Sequence, residues 1–358
     1  MFIRDLDYDL PPTSIATAPA EPRDASRLLV VHPAAVEHRH FRDLPAYLRP
    51  GDLLVVNNTR VLPAKLTLRR PTGAVITGLF FFEHEPGLWD VLLRSRGRVK
   101  PGDTLLAGPY TFLLTRRNGQ GEWQLQVTPP DPAATVLQTI GHVPLPPYIT
   151  HQRQHSGQPQ ESAADLQWYQ TVYAQTALTH GGSVAAPTAG LHFTPALLEQ
   201  LAAHNIQVAP VELEVGLGTF LPVETETLEE HPMHTERYHI PAATIAALRR
   251  ARAENRRIVV VGTTAVRTLE AAASKILDLS VPPAPISDQT NLLISPGFRF
   301  QLTDVLITNF HLPKSTLMAL VAAFIGDDGI ARLKSLYATA IQEGYRFYSY
   351  GDAMLIIP

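Results

Sequence analysis

The sequence has no cysteine in its 358 residues. That absence excludes disulfides, a thiolate nucleophile, cysteine-ligated zinc and cysteine-held iron–sulfur clusters. Any chemistry must therefore come from oxygen, nitrogen and imidazole groups. Nor is there an excess of one charge: 30 Lys+Arg stand against 33 Asp+Glu, a formal net charge of −3. A polyanionic partner would need a local basic patch rather than a global field. No run of about 18 apolar residues occurs, and Met1-Phe2-Ile3-Arg4-Asp5 carries no secretory apolar segment. The expectation is a cytoplasmic chain with no membrane partner. What is present is a globular balance, 45% hydrophobic and 18% charged, in a chain long enough for two domains.

Periodicity divides the chain. RLLVVH (27–32) and DLLVVNN (52–58) read as apolar strands, with FRDLPAYL between them. From about 66 to 130 the pattern becomes a series of short strands, LTLRR, AVITGLFFF, LWDVLLR, DTLLA, YTFLLT and EWQLQV, separated by Gly, Pro and Asp as in a small barrel. PAATVLQTI and DLQWYQTVYAQT are helical, and the polar stretch 150–162 between them reads as a mobile loop. After residue 180 strands alternate with helices: SVAA, IQVAPVEL, RIVVVG and DVLITN each precede a helical segment. The predicted fold is an α/β main domain, residues 1–65 plus 151–358, with an inserted β-barrel-like domain at 66–150.

Three junctions share one design. VAAPTAGLHF, VVVGTTAVRTLE and VLITNFHLPKST each run an apolar stretch into a polar turn and then a helix. In open α/β sheets such turns gather where ligands bind. They bring Thr188, Gly190, His192, Thr263, Thr264, Arg267, Asn309, His311 and Lys314 into consideration as one pocket, the alternative being that Thr263 and Ser315 merely cap helices. Asn57, Asn58 and Arg60 follow a buried-looking strand and suit a base edge or a carboxylate, or an ordinary turn.

Other features divide between chemistry and packing. Gly216 and Gly218 lack the third glycine of a dinucleotide fingerprint. His231, His234 and His239 with Glu230 and Glu236 are interrupted by Pro232, so no metal site is expected there. Arg94, Arg96, Arg98 and Lys100 place four basic residues within seven in the β-rich insertion, a candidate phosphate-binding stretch or a solvated hairpin. Arg249, Arg250, Arg252, Arg256 and Arg257 read as the wet face of a helix. In YRFYSYGDAML, Arg346 lies among Tyr345, Phe347, Tyr348 and Tyr350, which suits either base stacking or core.

The ordered set DYDLPP, LRPGDLLVVNNTRVLPAKL, GHVPLPPYI, GSVAAPTAGLHFT, VELEVGLGTFLPV, EEHPMHTERYHIP, VVGTTAVRTLE, TNLLISPGF, ITNFHLPKSTLMALVAAF and YRFYSYGDAMLI spans nearly the whole chain. It resembles the S-adenosylmethionine:tRNA ribosyltransferase-isomerases of queuosine biosynthesis. The resemblance implies transfer and isomerisation of the ribosyl group of S-adenosylmethionine onto 7-aminomethyl-7-deazaguanine at the wobble position of a tRNA. Epoxyqueuosine-tRNA, adenine and methionine would be the products. It implies no cofactor, S-adenosylmethionine being consumed as a substrate, and the chain is expected to act as a monomer. The sequence departs from the family pattern in GAVITGLFFFEHEPG (73–87), in Ser295 and in Pro232.

On that resemblance, His192 and His311 are the expected acid/base groups, with Glu214 and Glu236 as alternative bases. Arg267 and Lys314 would bind the methionine carboxylate or RNA phosphate. Thr188, Thr263, Thr264 and Asn309, beside Gly190, would hold ribose and adenine, and Asn57, Asn58 and Arg60 would face the modified base. Two other classes fit part of the pattern. A methyltransferase would leave S-adenosylhomocysteine, and a non-catalytic tRNA-binding protein would consume nothing.

Overall fold

The computed structural model describes residues 1–119, 121–175, 183–216 and 225–358. From one edge its nine-stranded sheet runs Ile286–Thr290, Glu236–Ile240, Gln207–Leu213, Leu53–Asn57, Ile258–Val261, Val305–Asn309, Ala353–Ile356, Arg27–Val31 and Val36–His40. The four from Gln207–Leu213 to Val305–Asn309 are mutually parallel. Near-continuous apolar runs such as LLVV and IVVV form these strands because both faces are buried. Leu53, Val55, Ile258, Val260 and Leu306 pack against one set of helices, which includes Ala242–Ala253, Thr263–Ala271 and Thr316–Ile325. Leu54, Val56, Val259, Val261 and Ile307 pack on the other face against Phe41, Phe193, Leu197 and Leu201.

Leu53–Asn57 lies between Gln207–Leu213 and Ile258–Val261, both of which follow it in sequence. The next strand of this sheet after Leu53–Asn57 lies on one side of it, whereas Ile258–Val261 is followed by Val305–Asn309 on the other side, so a crevice opens beyond the carboxyl ends of this pair. The amino-terminal edge is closed instead. Arg252 pairs with Asp304 at 2.7 Å, Arg257 pairs with Asp52 at 2.5 Å, and Arg249 Nε donates to Ile276 O at 2.6 Å. Of the arginines read as a wet helix face, Arg250 is exposed, whereas Arg249, Arg252, Arg256 and Arg257 are tie-downs, because their long stems reach carboxylates and carbonyls of neighbouring segments.

The second unit is a closed antiparallel barrel of Lys65–Arg69, Val75–Glu85, Leu88–Arg94, Glu122–Thr128, Tyr110–Arg117 and Thr104–Ala107, the ring closing where Arg69 pairs with Leu106. The fold is thus the α/β domain with an inserted barrel that the switch in periodicity predicts. Period-two alternation turns Trp89, Val91 and Leu93 inward, onto Phe80, Phe112 and Leu125. Within the atypical stretch, Glu83 Oε1 accepts from Trp89 Nε1 at 3.0 Å and from Ala133 N at 2.8 Å. That carboxylate supports the barrel by satisfying the first turn of the helix Ala133–Ile140.

Three local expectations fail. SVAA forms only an isolated bridge, Val61 with Ser183, because its residues turn into the cavity wall rather than pair along a neighbour. Residues 150–155 belong to the helix Pro147–His155 instead of a loop. In DLQWYQTVYAQT only Asp165–Trp168 is helical among the described residues. These two helices are clasped by a buried pair. Arg153 donates to Asp165 through Nη1 at 2.8 Å and Nη2 at 2.7 Å, and also reaches Thr17 O. Among the described residues no helix is long and apolar enough to cross a membrane.

Because Arg153 and Asp165 are each 3% exposed, losing one partner strands a buried charge. Arg153→Ala is expected to lower the unfolding free energy by about 3–5 kcal/mol. Adding Asp165→Ala should recover part of that loss, since no uncompensated charge remains. Denaturant unfolding of the two variants checks both effects, and an unchanged single variant would show that the clasp contributes little.

Candidate functional site

A cavity of about 430 Å³ opens at the carboxyl ends of the parallel strands. Its floor comes from Gly262, Thr263, Thr264 and Arg267 on one side and Thr308, Asn309, Phe310 and His311 on the other. Ala185 to Ala189 form one wall, while Tyr148, Tyr169 and Tyr348 cover it. Thr188 lies in that wall as the first residue of the 3-10 turn Thr188–His192. Gly262, at φ +85°, caps the helix Thr263–Ala271 without a side-chain bond. Thr263 is therefore the first helical residue rather than its cap, while Ser315 does cap its helix by accepting from Met318 N. The glycine conformation aims this helix's first backbone N–H groups at the cavity.

Among the described residues three polar atoms on cavity-lining residues have no hydrogen-bond partner: Thr264 Oγ1, Arg267 Nη2 and Asn309 Oδ1. Each such buried atom costs about 1–3 kcal/mol, so all three favour a polar ligand. Arg267 is held by its other nitrogens. Nη1 pairs with Glu236 Oε2, and Nε donates to Leu292 O at 3.1 Å. Glu236 in turn accepts from Gly216 N through Oε1 at 3.2 Å. This carboxylate is thus committed to fixing Arg267, which removes it as the alternative base.

His311 faces the cavity. Its Nε2 lies 2.9 Å from Thr308 Oγ1, its N–H donates to Tyr337 OH, and its carbonyl accepts from Tyr8 OH at 2.5 Å. Burial pushes the ring down to about 4, so it is neutral at physiological pH. Nδ1 makes no hydrogen bond among the described residues and is the ring atom available to a reactant.

His192 is the principal correction. It is 4% exposed and lies behind Asn309 rather than on the cavity wall, stacked on Phe41 with centroids 4.9 Å apart. Nδ1 meets Ser26 Oγ at 2.8 Å and Nε2 meets Asn309 Nδ2 at 3.1 Å, so both ring nitrogens are engaged. Burial, then Arg346 and Arg23, push it down to about 3. A ring that touches no cavity space cannot exchange protons with a reactant there.

Other expected residues lie elsewhere for equally local reasons. Gly190 is a packing glycine: a Cβ there would stand 2.0 Å from Tyr173 OH. Asn57 is engaged within the sheet, Oδ1 accepting from Thr59 N and Leu213 N while Nδ2 donates to Leu213 O. Asn58 is buried off the cavity wall, and Arg60 points to solvent. Lys314 pairs with Asp7 at 2.9 Å on the surface, and Glu214 also lies off the wall. Gly218 lies outside the described residues, and among those described no cluster of three His, Asp or Glu could hold a metal. Tyr345, Phe347 and Tyr350 are core, whereas Tyr348 reaches the cavity. The lining residues Tyr148, Tyr169 and Ser349 were missed, although GHVPLPPYI and YRFYSYGDAML frame two of them.

Arg94, Arg96, Arg98 and Lys100 are all exposed, with no salt bridge among the described residues. They lie where Leu88–Arg94 ends, beside Arg69, at the barrel end away from Lys65 and its partner Glu161. A larger hollow of about 540 Å³ beside Trp168 offers only Glu21 and Arg23 as ionisable groups, and Arg23 already donates to the carbonyls of Gln167 and Gln170.

The model of the family described as queuosine biosynthesis protein matches residues 3–356. This chain belongs to that family. The S-adenosylmethionine:tRNA ribosyltransferase-isomerase of Synechococcus elongatus is 47% identical over 362 residues, covering 98% of this chain and 95% of the relative. The protein of the same name from Moorella thermoacetica is 46% identical over 376 residues, with both chains covered in full. A crystal structure of S-adenosylmethionine tRNA ribosyltransferase from Thermotoga maritima matches with a TM-score of 0.54 at 37% identity, covering 99% of this chain and 100% of that one. This queuosine-family member thus shares its whole length with its relatives, barrel included.

The two buried imidazoles give stability a defined pH dependence. Folded values of about 3 and 4 for His192 and His311 lie below the unfolded value of about 6.5. Below pH 6.5 the unfolded chain binds protons that the folded chain refuses, so acidification toward pH 4 destabilises by up to about 1.4 kcal/mol per unit per ring. His192→Asn and His311→Asn should each flatten the fall of unfolding free energy between pH 6.5 and 4. An unaltered slope in both would contradict the buried neutral assignment.

Proposed function

We infer that this chain is an S-adenosylmethionine:tRNA ribosyltransferase-isomerase. It moves the ribosyl group of S-adenosylmethionine onto 7-aminomethyl-7-deazaguanine in the anticodon of a tRNA, releasing adenine and methionine and leaving epoxyqueuosine. The observation that carries this reading is a single cavity in which a neutral imidazole, a helix N-terminus and three unpaired polar atoms converge, in a chain matched from end to end by enzymes of that name.

The chemistry follows from the groups present. A sulfonium acidifies the adjacent ribose carbon, and His311 Nδ1 is the proposed acceptor of that proton. For this Nε2–H must donate to Thr308 Oγ1, which sets the tautomer. Adenine then leaves, the aminomethyl nitrogen bonds to the sugar, and methionine departs as the epoxide closes. Arg267 Nη2 is placed to hold a carboxylate, its own charge balanced by Glu236, so the methionine end of the substrate belongs at that side. His192 acts through Asn309 rather than on a reactant. The steps consume S-adenosylmethionine as a substrate and draw on proton transfer and electrostatic positioning.

The exposed basic loop of the barrel is the proposed RNA-backbone contact.

Incubation with S-adenosylmethionine and tRNA carrying the aminomethyl base should yield adenine, methionine and modified tRNA in equal amounts. S-adenosylhomocysteine in their place would overturn the reading. His311→Gln should lower kcat/KM by about 10²–10⁴; near-wild-type turnover would remove His311 from the mechanism. Replacing Arg94, Arg96, Arg98 and Lys100 by Gln should flatten the slope of log affinity against log salt by about 3. An unchanged slope would place RNA elsewhere.

A further inference from the structure

Asn309 ends the strand Val305–Asn309 and is 2% exposed, yet it lines the cavity. Its Nδ2 donates to Tyr348 O at 3.2 Å. A carbonyl can only accept, so that contact alone fixes which edge of the amide carries the NH₂ group. The same Nδ2 lies 3.1 Å from His192 Nε2, which must then accept, leaving the ring proton on Nδ1 to donate to Ser26 Oγ at 2.8 Å. Stacking on Phe41 holds the ring in plane. Every rotation that would turn the amide over breaks two bonds at once and sets a carbonyl oxygen against another carbonyl.

The opposite edge, Oδ1, has no partner among the described residues. It is an acceptor of fixed polarity at a position where a hydroxyl group would be needlessly well specified, since hydroxyls donate and accept alike. An ammonium group would call for a carboxylate. Among the described lining residues the carboxylate is Glu236, and it is paired with Arg267. Tyr148, Phe310 and Tyr348 give this side of the cavity flat apolar surfaces, which suit an aromatic base.

We propose that Ser26, His192 and Tyr348 O lock Asn309 so that its Oδ1 reads the exocyclic amino group of a purine-type base. His192 and Ser26 are positioning residues, and Asn309 is the specificity-determining contact. The proposal rests on the transferase reading for the identity of the two bases on offer, adenine in S-adenosylmethionine and deazaguanine in the RNA. Both carry an exocyclic amine, and the experiment separates them.

Equilibrium affinity is the readout, which needs no turnover. One arm compares S-adenosylmethionine with its analogue bearing purine in place of adenine. The other compares an anticodon stem-loop bearing 7-aminomethyl-7-deazaguanine with its 2-deamino counterpart. In one arm the wild-type chain should prefer the amine by about thirtyfold or more, the cost of an unpaired buried acceptor. Asn309→Leu should reduce that preference to within about threefold. His192→Phe removes one of the two Nδ2 contacts while Tyr348 O still orients the amide, and should weaken the preference without erasing it; His192→Gln, which can accept from Nδ2, should keep it in full.

Loss of preference in the first arm assigns Asn309 to adenine, and loss in the second assigns it to the RNA base. An equal preference in wild type and Asn309→Leu, with thermal unfolding confirming that the variant is folded, overturns the proposal. Failure of the transferase reading is distinct: wild type would then bind neither ligand of either pair.

Discussion

Four parallel strands buried on both faces leave one edge of the sheet at which polar side chains can meet a ligand. Their apolar runs are committed to the cores on either side, and the opposite edge is closed by Arg252, Arg256 and Arg257 acting on Asp304, Gly51 and Asp52. The polar groups of the cavity floor therefore collect just past the last apolar residue of a strand, at Gly262 to Thr264 and at Asn309 to His311. This constraint explains why residues far apart in sequence share a cavity, and why the helix Thr263–Ala271 begins where it does.

The cavity depends on a layer behind it. Glu236 fixes Arg267, His192 fixes Asn309, and the Arg153–Asp165 clasp joins the helix bearing Tyr148 to the one that Tyr169 caps. Each of these supports is a buried polar pair with little freedom to rearrange. A buried network of this kind is costly if half satisfied and rigid when complete. Among the described residues it is incomplete at three atoms on cavity-lining residues, Thr264 Oγ1, Arg267 Nη2 and Asn309 Oδ1, which is where a substrate would complete it.

Much of the architecture was legible in the sequence. The change from strand–helix alternation to short alternating strands located the barrel, because inward Trp89, Val91 and Leu93 leave a period-two trace. The three polar turns were legible for the same reason, each being abrupt after an apolar run. Side-chain direction was not. Nothing in VAAPTAGLHF tells that the 3-10 turn carries His192 behind Asn309 while Thr188 stays in front. Nothing in NNTR tells that Asn57 spends its amide on Leu213, across a strand pairing that only the folded sheet creates. Lys314 was lost to Asp7, a partner more than 300 positions away in sequence. Tyr148 and Ser349 sit in segments without strong periodicity, and only the folded chain brings them together, with Tyr148 OH and Ser349 Oγ 2.5 Å apart.

The central claim is that one cavity, at the carboxyl ends of the parallel strands, holds the reacting sulfonium nucleoside. A crystal structure of the chain soaked with S-adenosylmethionine tests it most directly. The account predicts the carboxylate on Arg267 Nη2 and the nucleoside between Thr264, Asn309 and His311. Ligand density confined to the hollow beside Trp168, or to the barrel, would contradict it.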